Sequence, residues 1–144
     1  MKRVLLLAIG LLATAAAPQG NIRGNEVEVV VDGVRNASGH VLVAICREPE
    51  FLQPHCAFQG SAPAHPGAVT VRIADVPPGT YAAQCFHDET DAGRIHRTLL
   101  GMPKEGMGFS NDARFHFGPP SFRDAAFTVG PTDVRIAMNL RYYD

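Results

Sequence analysis

The chain has 144 residues, 46% of them hydrophobic, a formal net charge of −1 and no tryptophan. That length gives one small domain with enough apolar residues for a core. The near-neutral charge, without a Lys/Arg run, excludes the basic footprint of a nucleic-acid binder, and the sparse aromatics speak against a carbohydrate platform.

The N-terminus reads as a secretory leader over residues 1–17. Lys2 and Arg3 precede an apolar run from Val4 to Ala13, and Ala15, Ala16 and Ala17 offer small residues for cleavage. The run falls short of the about 20 apolar residues a membrane-spanning helix needs. No second long apolar run follows, so no membrane span is expected after cleavage. The destination is periplasmic or secreted, and residues 25–144 form the single domain.

Glu26 to Asp32 alternates, with Val27, Val29 and Val31 on one side, the period of a half-buried strand. A hairpin turn at 35–39 leads to a second strand, His40 to Cys46, apolar enough to be central. One helical turn is expected over Glu48 to Leu52 and a loop over 59–67. A third strand covers Ala68 to Ile73. Pro77-Pro78-Gly79 turns the chain into a fourth, Tyr81 to Phe86. Tyr81, just after a turn, fits a corner tyrosine whose ring packs and whose hydroxyl bonds backbone. Short strands are expected at Arg114–Phe117 and Ala125–Val129. The last, from Val134 to Tyr142, sets Val134, Ile136, Met138 and Leu140 on one face. Seven short strands without a long helix predict an all-β fold, an antiparallel β-sandwich.

Cys46 and Cys56 bracket a short loop and are expected to pair, since a bridge persists in an oxidising compartment. Cys85 lies inside a strand among apolar residues and is expected to be a buried thiol.

Polar and turn residues concentrate between His87 and Asn111. Asp88-x-Thr90-x-Ala92-Gly93 has the outline of a calcium loop, but Ala92 supplies no side-chain oxygen and Asp91 lies off register. His87, His96 and His116, with Asp88, are the alternative ligands for zinc or copper, although their spacing matches no established pattern. Ser110 does not sit in a G-x-S-x-G elbow. Asp88 and Glu105 could pair as catalytic carboxylates, but no aromatic platform accompanies them. Leu99, Leu100, Met102, Met107 and Phe109 are expected mainly to fold under the loop as a satellite core, or else to form a contact patch.

The runs Pro77-Pro78-Gly79-x-Tyr81-Ala82, His87-Asp88, Gly101-Met102-Pro103-Lys104-Glu105-Gly106-x-Gly108-Phe109-Ser110-Asn111 and Gly118-Pro119-Pro120-Ser121-Phe122 carry a family resemblance. With them the chain resembles the exported bacterial family catalogued as domain of unknown function 2141, from the Val27 strand to Leu140. The resemblance implies an Ig-like or transthyretin-like sandwich and export, and does not imply a function. In the loop the family pattern is rich in oxygen donors. This chain keeps His87, Asp88 and Gly93 but has Thr90, Ala92, His96 and Thr98 where the pattern has Asn, Asn, Asp and Asn.

The expected function is therefore a non-enzymatic binding or accessory module for a protein or cell-envelope partner. Its surface would be the 87–111 loop system, with His87, Asp88, Asp91, His96, Glu105, Ser110 and Asn111 as candidate binding residues, because binding residues commonly sit on loops held by a rigid scaffold. The alternative is a periplasmic metal-binding protein, with calcium the one candidate cofactor on the oxygen ligands and zinc or copper on the histidines.

Overall fold

A computed structural model describes residues 24–144, together with Gly10 and residues 13–15. The leader segment 1–17 thus lies almost wholly outside the described residues. Eight strands run in chain order: β1 (Asn25–Val34), β2 (His40–Cys46), β3 (Phe58–Pro63), β4 (Gly67–Val76), β5 (Gly79–Asp88), β6 (Met107–Phe109), β7 (Ala126–Val129) and β8 (Val134–Asn139). A four-residue helix, α1 (Phe122–Ala125), precedes β7. Among the described residues no helix is long and apolar enough to cross a membrane.

The strands form two sheets, β4-β1-β8 and β3-β2-β5-β6, with β7 also paired to β5. Their facing sides make a β-sandwich. Val27, Val29 and Val31 of β1 are buried between Val69, Val71 and Ile73 of β4 on one side and the Val134–Met138 face of β8 on the other. Val41, Val43 and Ile45 of β2, with Ala83 and Cys85 of β5, complete the core from the second sheet. The alternation seen in the sequence is this arrangement, because successive side chains on a strand point to opposite faces.

Antiparallel pairs dominate, but β1 and β8 run parallel. The chain then leaves β8 for the other sheet. The Met107 and Arg141 amides and carbonyls exchange hydrogen bonds at 2.9 and 2.8 Å, so the C-terminal segment bridges the sheets. The regular strand ends at Asn139 rather than at Tyr142 for this reason.

Two strands stand where the sequence pattern indicates loops. β3 occupies most of the expected 59–67 loop, and its Pro63 sits on a sheet edge, where a missing amide is tolerated. β6 lies in the Gly- and Pro-rich 101–111 run. Its glycine is required: a Cβ on Gly108 would lie 2.5 Å from the Asn139 carbonyl oxygen, and one on Gly106 would lie 2.5 Å from the Tyr142 ring. The strand expected at Arg114–Phe117 is instead irregular. β6 and β7 already share the edge of β5, so no backbone ladder is left for it there.

The expected hairpin turn at 35–39 instead carries the chain between sheets, because β1 pairs with β4 and β8 and β2 with β3 and β5. Glu48–Glu50 forms a single 3-10 turn. Cys46 and Cys56 are bridged, and Cys85 is a buried free thiol. The Tyr81 hydroxyl donates to the Pro77 carbonyl at 2.7 Å, while the ring packs against Phe58 and Phe127.

Candidate functional site

The outer face of the second sheet is not a solvated polar surface. Residues 42, 44 and 46 of β2 point outward and are all apolar, so β2 carries apolar side chains on both faces. A second apolar cluster forms on that side, around Phe51, Met107, Phe109 and Ala125, with Phe86, Phe115 and Phe122 packed against it. Phe51 meets Phe109 and Phe122 edge-on with ring centroids 6.0 Å apart.

The cluster fills only part of the face. Beside it runs a groove of about 840 Å³ whose floor is Leu42, Ala44, Gln84, Phe86, Met107 and Phe109. Three connections form its walls. The cystine loop supplies Leu52, Pro54 and His55; the loop after β5 supplies Arg94, Ile95 and Arg97; the segment after β6 supplies Phe115 and Pro119. Cys46 ends β2 on the outer face, so its bridge to Cys56 staples the first wall to the floor. The Leu52 amide also donates to the Gln84 side chain at 3.1 Å.

Asp88, Asp91, His96 and Glu105, singled out by sequence, hold the wall after β5 in place. Asp88 is buried, and its two carboxylate oxygens accept the Ala92 and Gly93 amides at 3.0 and 2.7 Å. This is the self-bracing of an Asp at a turn. Asp91 pairs with His40 at 2.6 Å. Glu105 accepts the His96 amide at 2.8 Å with one oxygen and faces the His96 ring with the other. The Thr98–Met102 and Lys104–His96 backbone bonds close the rest of this loop as a narrow hairpin.

His87 is fully buried and points the other way, into the sandwich. Its Nε2 lies 2.7 Å from the Ser38 carbonyl, which can only accept, so Nε2 carries the proton. Nδ1 then accepts from the Tyr142 hydroxyl at 2.9 Å. Ser110 is buried as well. Its hydroxyl accepts the Ala83 amide at 2.9 Å and donates to the Ala125 carbonyl. Asn111 donates to the Asp124 and Ala126 carbonyls at 3.2 and 2.7 Å. The Ser-Asn pair thus seals the seam where β6 gives way to β7 along β5.

The structure therefore brings His96 to Glu105, and Asp91 to His40, but does not gather His87, Asp88 and His96 around one point. Among the described residues, no three His, Cys, Asp or Glu side chains are placed to hold a metal ion. The Cys85 thiol, whose pKa burial pushes up to about 12, faces the interior as an unreactive group. Nearby, hydrogen bonding from Arg35 holds the Glu89 carboxyl below its ordinary range.

Met107 and Phe109 do fold under the loop, as a satellite core requires, but Leu99 and Leu100 do not. They are fully exposed at the hairpin tip. The reason is geometric: the Thr98–Met102 turn projects them beyond any packed layer.

The groove residues Leu42, Ala44, Phe86 and the arginines 94 and 97 escape a reading focused on polar density. The one signal for them is the run Val41-Leu42-Val43-Ala44-Ile45. Continuous apolar character means a strand covered on both faces, where alternation would mean one face in water.

No curated protein and no solved structure matches the chain. A family model does, over residues 29–137, and it spans the sandwich, the three groove walls and the braces that hold them. The chain belongs to the bacterial family described as uncharacterized protein conserved in bacteria (DUF2141).

Proposed function

We propose that this chain is an exported, non-enzymatic binding protein, periplasmic or secreted, whose ligand site is the groove on the outer face of β3-β2-β5-β6. The 87–111 loop system is the wall of that site: of its candidate residues, Asp88, Asp91, His96 and Glu105 hold the wall, while His87, Ser110 and Asn111 hold the sandwich and the sheet seam beneath it. The observation that carries this reading is the apolar floor of Leu42, Ala44, Phe86, Met107 and Phe109 under a groove of about 840 Å³. Ligand sites are typically clefts of about 300–1,000 Å³ with mostly apolar lining and few polar groups.

The polar side chains lining the groove are Gln53, His55, Gln59, Ser61, Gln84, Arg94 and Arg97, and the candidate residues of the loop system lie outside it. Ser110, Asp88 and Asn111 are hydrogen-bonded to backbone, so none is a nucleophile or base facing an open space. The leader-like N-terminus and the Cys46–Cys56 bridge support export, since such bridges persist in oxidising compartments.

The test is to purify the mature protein from periplasmic extract, denature it, and identify small molecules that co-purify. Ala44→Trp, which fills the floor with a large ring, is the comparison. A compound retained by wild type and absent from the variant is expected. Identical extracts from both would overturn the reading.

A further inference from the structure

The groove is apolar along its floor apart from Gln84 and cationic along one wall. Arg94 and Arg97 line it, and no carboxylate does. This is a local property, because the chain as a whole carries a net charge of −1. It arises from the loop's own bracing. Asp88 is turned onto the Ala92 and Gly93 amides, and Glu105 onto His96. The acidic groups of the wall are thereby consumed inside the loop. Among the described residues neither arginine forms an ion pair; Arg97 donates to the Gly101 carbonyl at 3.0 Å, which leaves its charge unneutralised.

Across the sheet the lining reaches from Gln59 and Ser61 on β3 to Met107 and Phe109 on β6. That is three steps between neighbouring strands, or about 14 Å at ~4.8 Å each. The site is thus long and mostly apolar, with Arg94 and Arg97 along one side; a guanidinium is suited to bidentate contact with a carboxylate.

Resting on the binding reading above, we infer that the groove takes a single-chain amphiphile with an anionic head, its alkyl chain along Leu42, Ala44, Phe86 and Met107 and its carboxylate at Arg94 and Arg97. The span of the groove is comparable with an extended dodecyl chain. Arg94 and Arg97 set the preference for the head group, and the floor supplies the part of the affinity that does not depend on charge.

The experiment is calorimetric titration of the mature protein with laurate, dodecanol and dodecyltrimethylammonium, each below its micelle-forming concentration, beside vesicles containing anionic lipid. Laurate is expected to bind one to one and more tightly than either other compound. Arg94→Gln with Arg97→Gln is expected to weaken laurate about tenfold, at about half of that effect on a logarithmic scale for each exposed charge, and to leave dodecanol unchanged. Both arginines are exposed, so the double variant keeps its thermal midpoint. Ala44→Trp abolishes binding of laurate and dodecanol alike.

Equal affinity for laurate and dodecanol, or a double variant that binds laurate normally, would overturn the anionic-head assignment while leaving the apolar site standing. Binding to vesicles without binding to monomeric laurate would also overturn it, in favour of a membrane-docking surface. A co-purified neutral or cationic compound lost in Ala44→Trp would overturn this inference alone. Absence of any difference between wild type and Ala44→Trp in both experiments would overturn the groove itself.

Discussion

Glu105 holds His96 at two points, the amide at 2.8 Å and the ring through its other oxygen. The two residues flank the hairpin whose tip carries Leu99 and Leu100, so this contact decides how the loop stands against the sheet. Arg94, Ile95 and Arg97 reach the groove because of it.

Removing that carboxylate should therefore loosen the wall and spare the sandwich. Glu105→Ala is expected to lower unfolding free energy by about 1–2 kcal/mol, the cost of a half-buried charge-assisted pair. Hydrogen exchange should accelerate over residues 94–104 and stay unchanged in β1, β2 and β4. Uniform acceleration across the core would contradict the local role.

The glycines of the 101–111 run make a sharper prediction. A methyl on Gly108 meets the Asn139 carbonyl, which is backbone and cannot swing aside. Gly108→Ala should cost about 1–3 kcal/mol, as overpacking does. Gly130, with nothing within 4 Å and no positive φ, is the control. Gly130→Ala should stay within about 0.5 kcal/mol of wild type, the usual range for surface changes. Denaturant midpoints measure both.

Thiol chemistry distinguishes the three cysteines. The native oxidised protein should show no reactive thiol, because Cys85 is buried and its pKa is pushed up to about 12. After unfolding without reductant, one thiol per chain should react. Replacing Cys46 and Cys56 together by Ser should lower stability by about 2–3 kcal/mol, mainly through the unfolded chain, and should weaken groove binding, since Leu52, Pro54 and His55 lose their anchor.

Acid stability depends in part on Glu89. Arg35 depresses its carboxyl in the folded state, by hydrogen bonding first and charge second. The contribution is thus fully present above the unfolded carboxyl value of about 4.3 and is lost as pH falls through the folded value. Arg35 is more than a third exposed and also pairs with Asp144, so screening keeps the effect small, about 1 kcal/mol or less. Glu89→Gln should be less stable than wild type at neutral pH, with the difference vanishing as pH falls toward the acid limit. A constant difference across that range would assign the loss to packing.

The contact between buried His87 and half-buried Tyr142 can be tested by unfolding. Tyr142→Phe leaves Nδ1 of His87 without its donor and the Arg35 amide without its acceptor. A loss of about 1–3 kcal/mol is expected from unfolding curves, the cost of stranding the buried His87 nitrogen, since the Arg35 amide lies at an exposed position.

Much of the sandwich is legible in the chain. Val27, Val29 and Val31, and their counterparts on β4 and β8, announce their strands because the pleat imposes a period of two. Cys46, Cys56 and Tyr81 are readable from local context. β3 and β6 are not, since a short strand containing Gly or Pro exists only by virtue of the edge it pairs with.

Sequence by itself determined the alternating strands, the bridge, the buried thiol and the loop's position after β5, all properties of neighbouring residues. Only the tertiary structure decided what the polar residues do. Ser110 bonds Ala83 and His87 bonds Tyr142 across separations of 27 and 55 residues. Those partners turn a dense polar loop into a brace, because a buried donor or acceptor must be satisfied wherever the fold places its partner. The groove follows from the same cause: the second apolar face of β2 becomes a floor only once three distant loops rise around it.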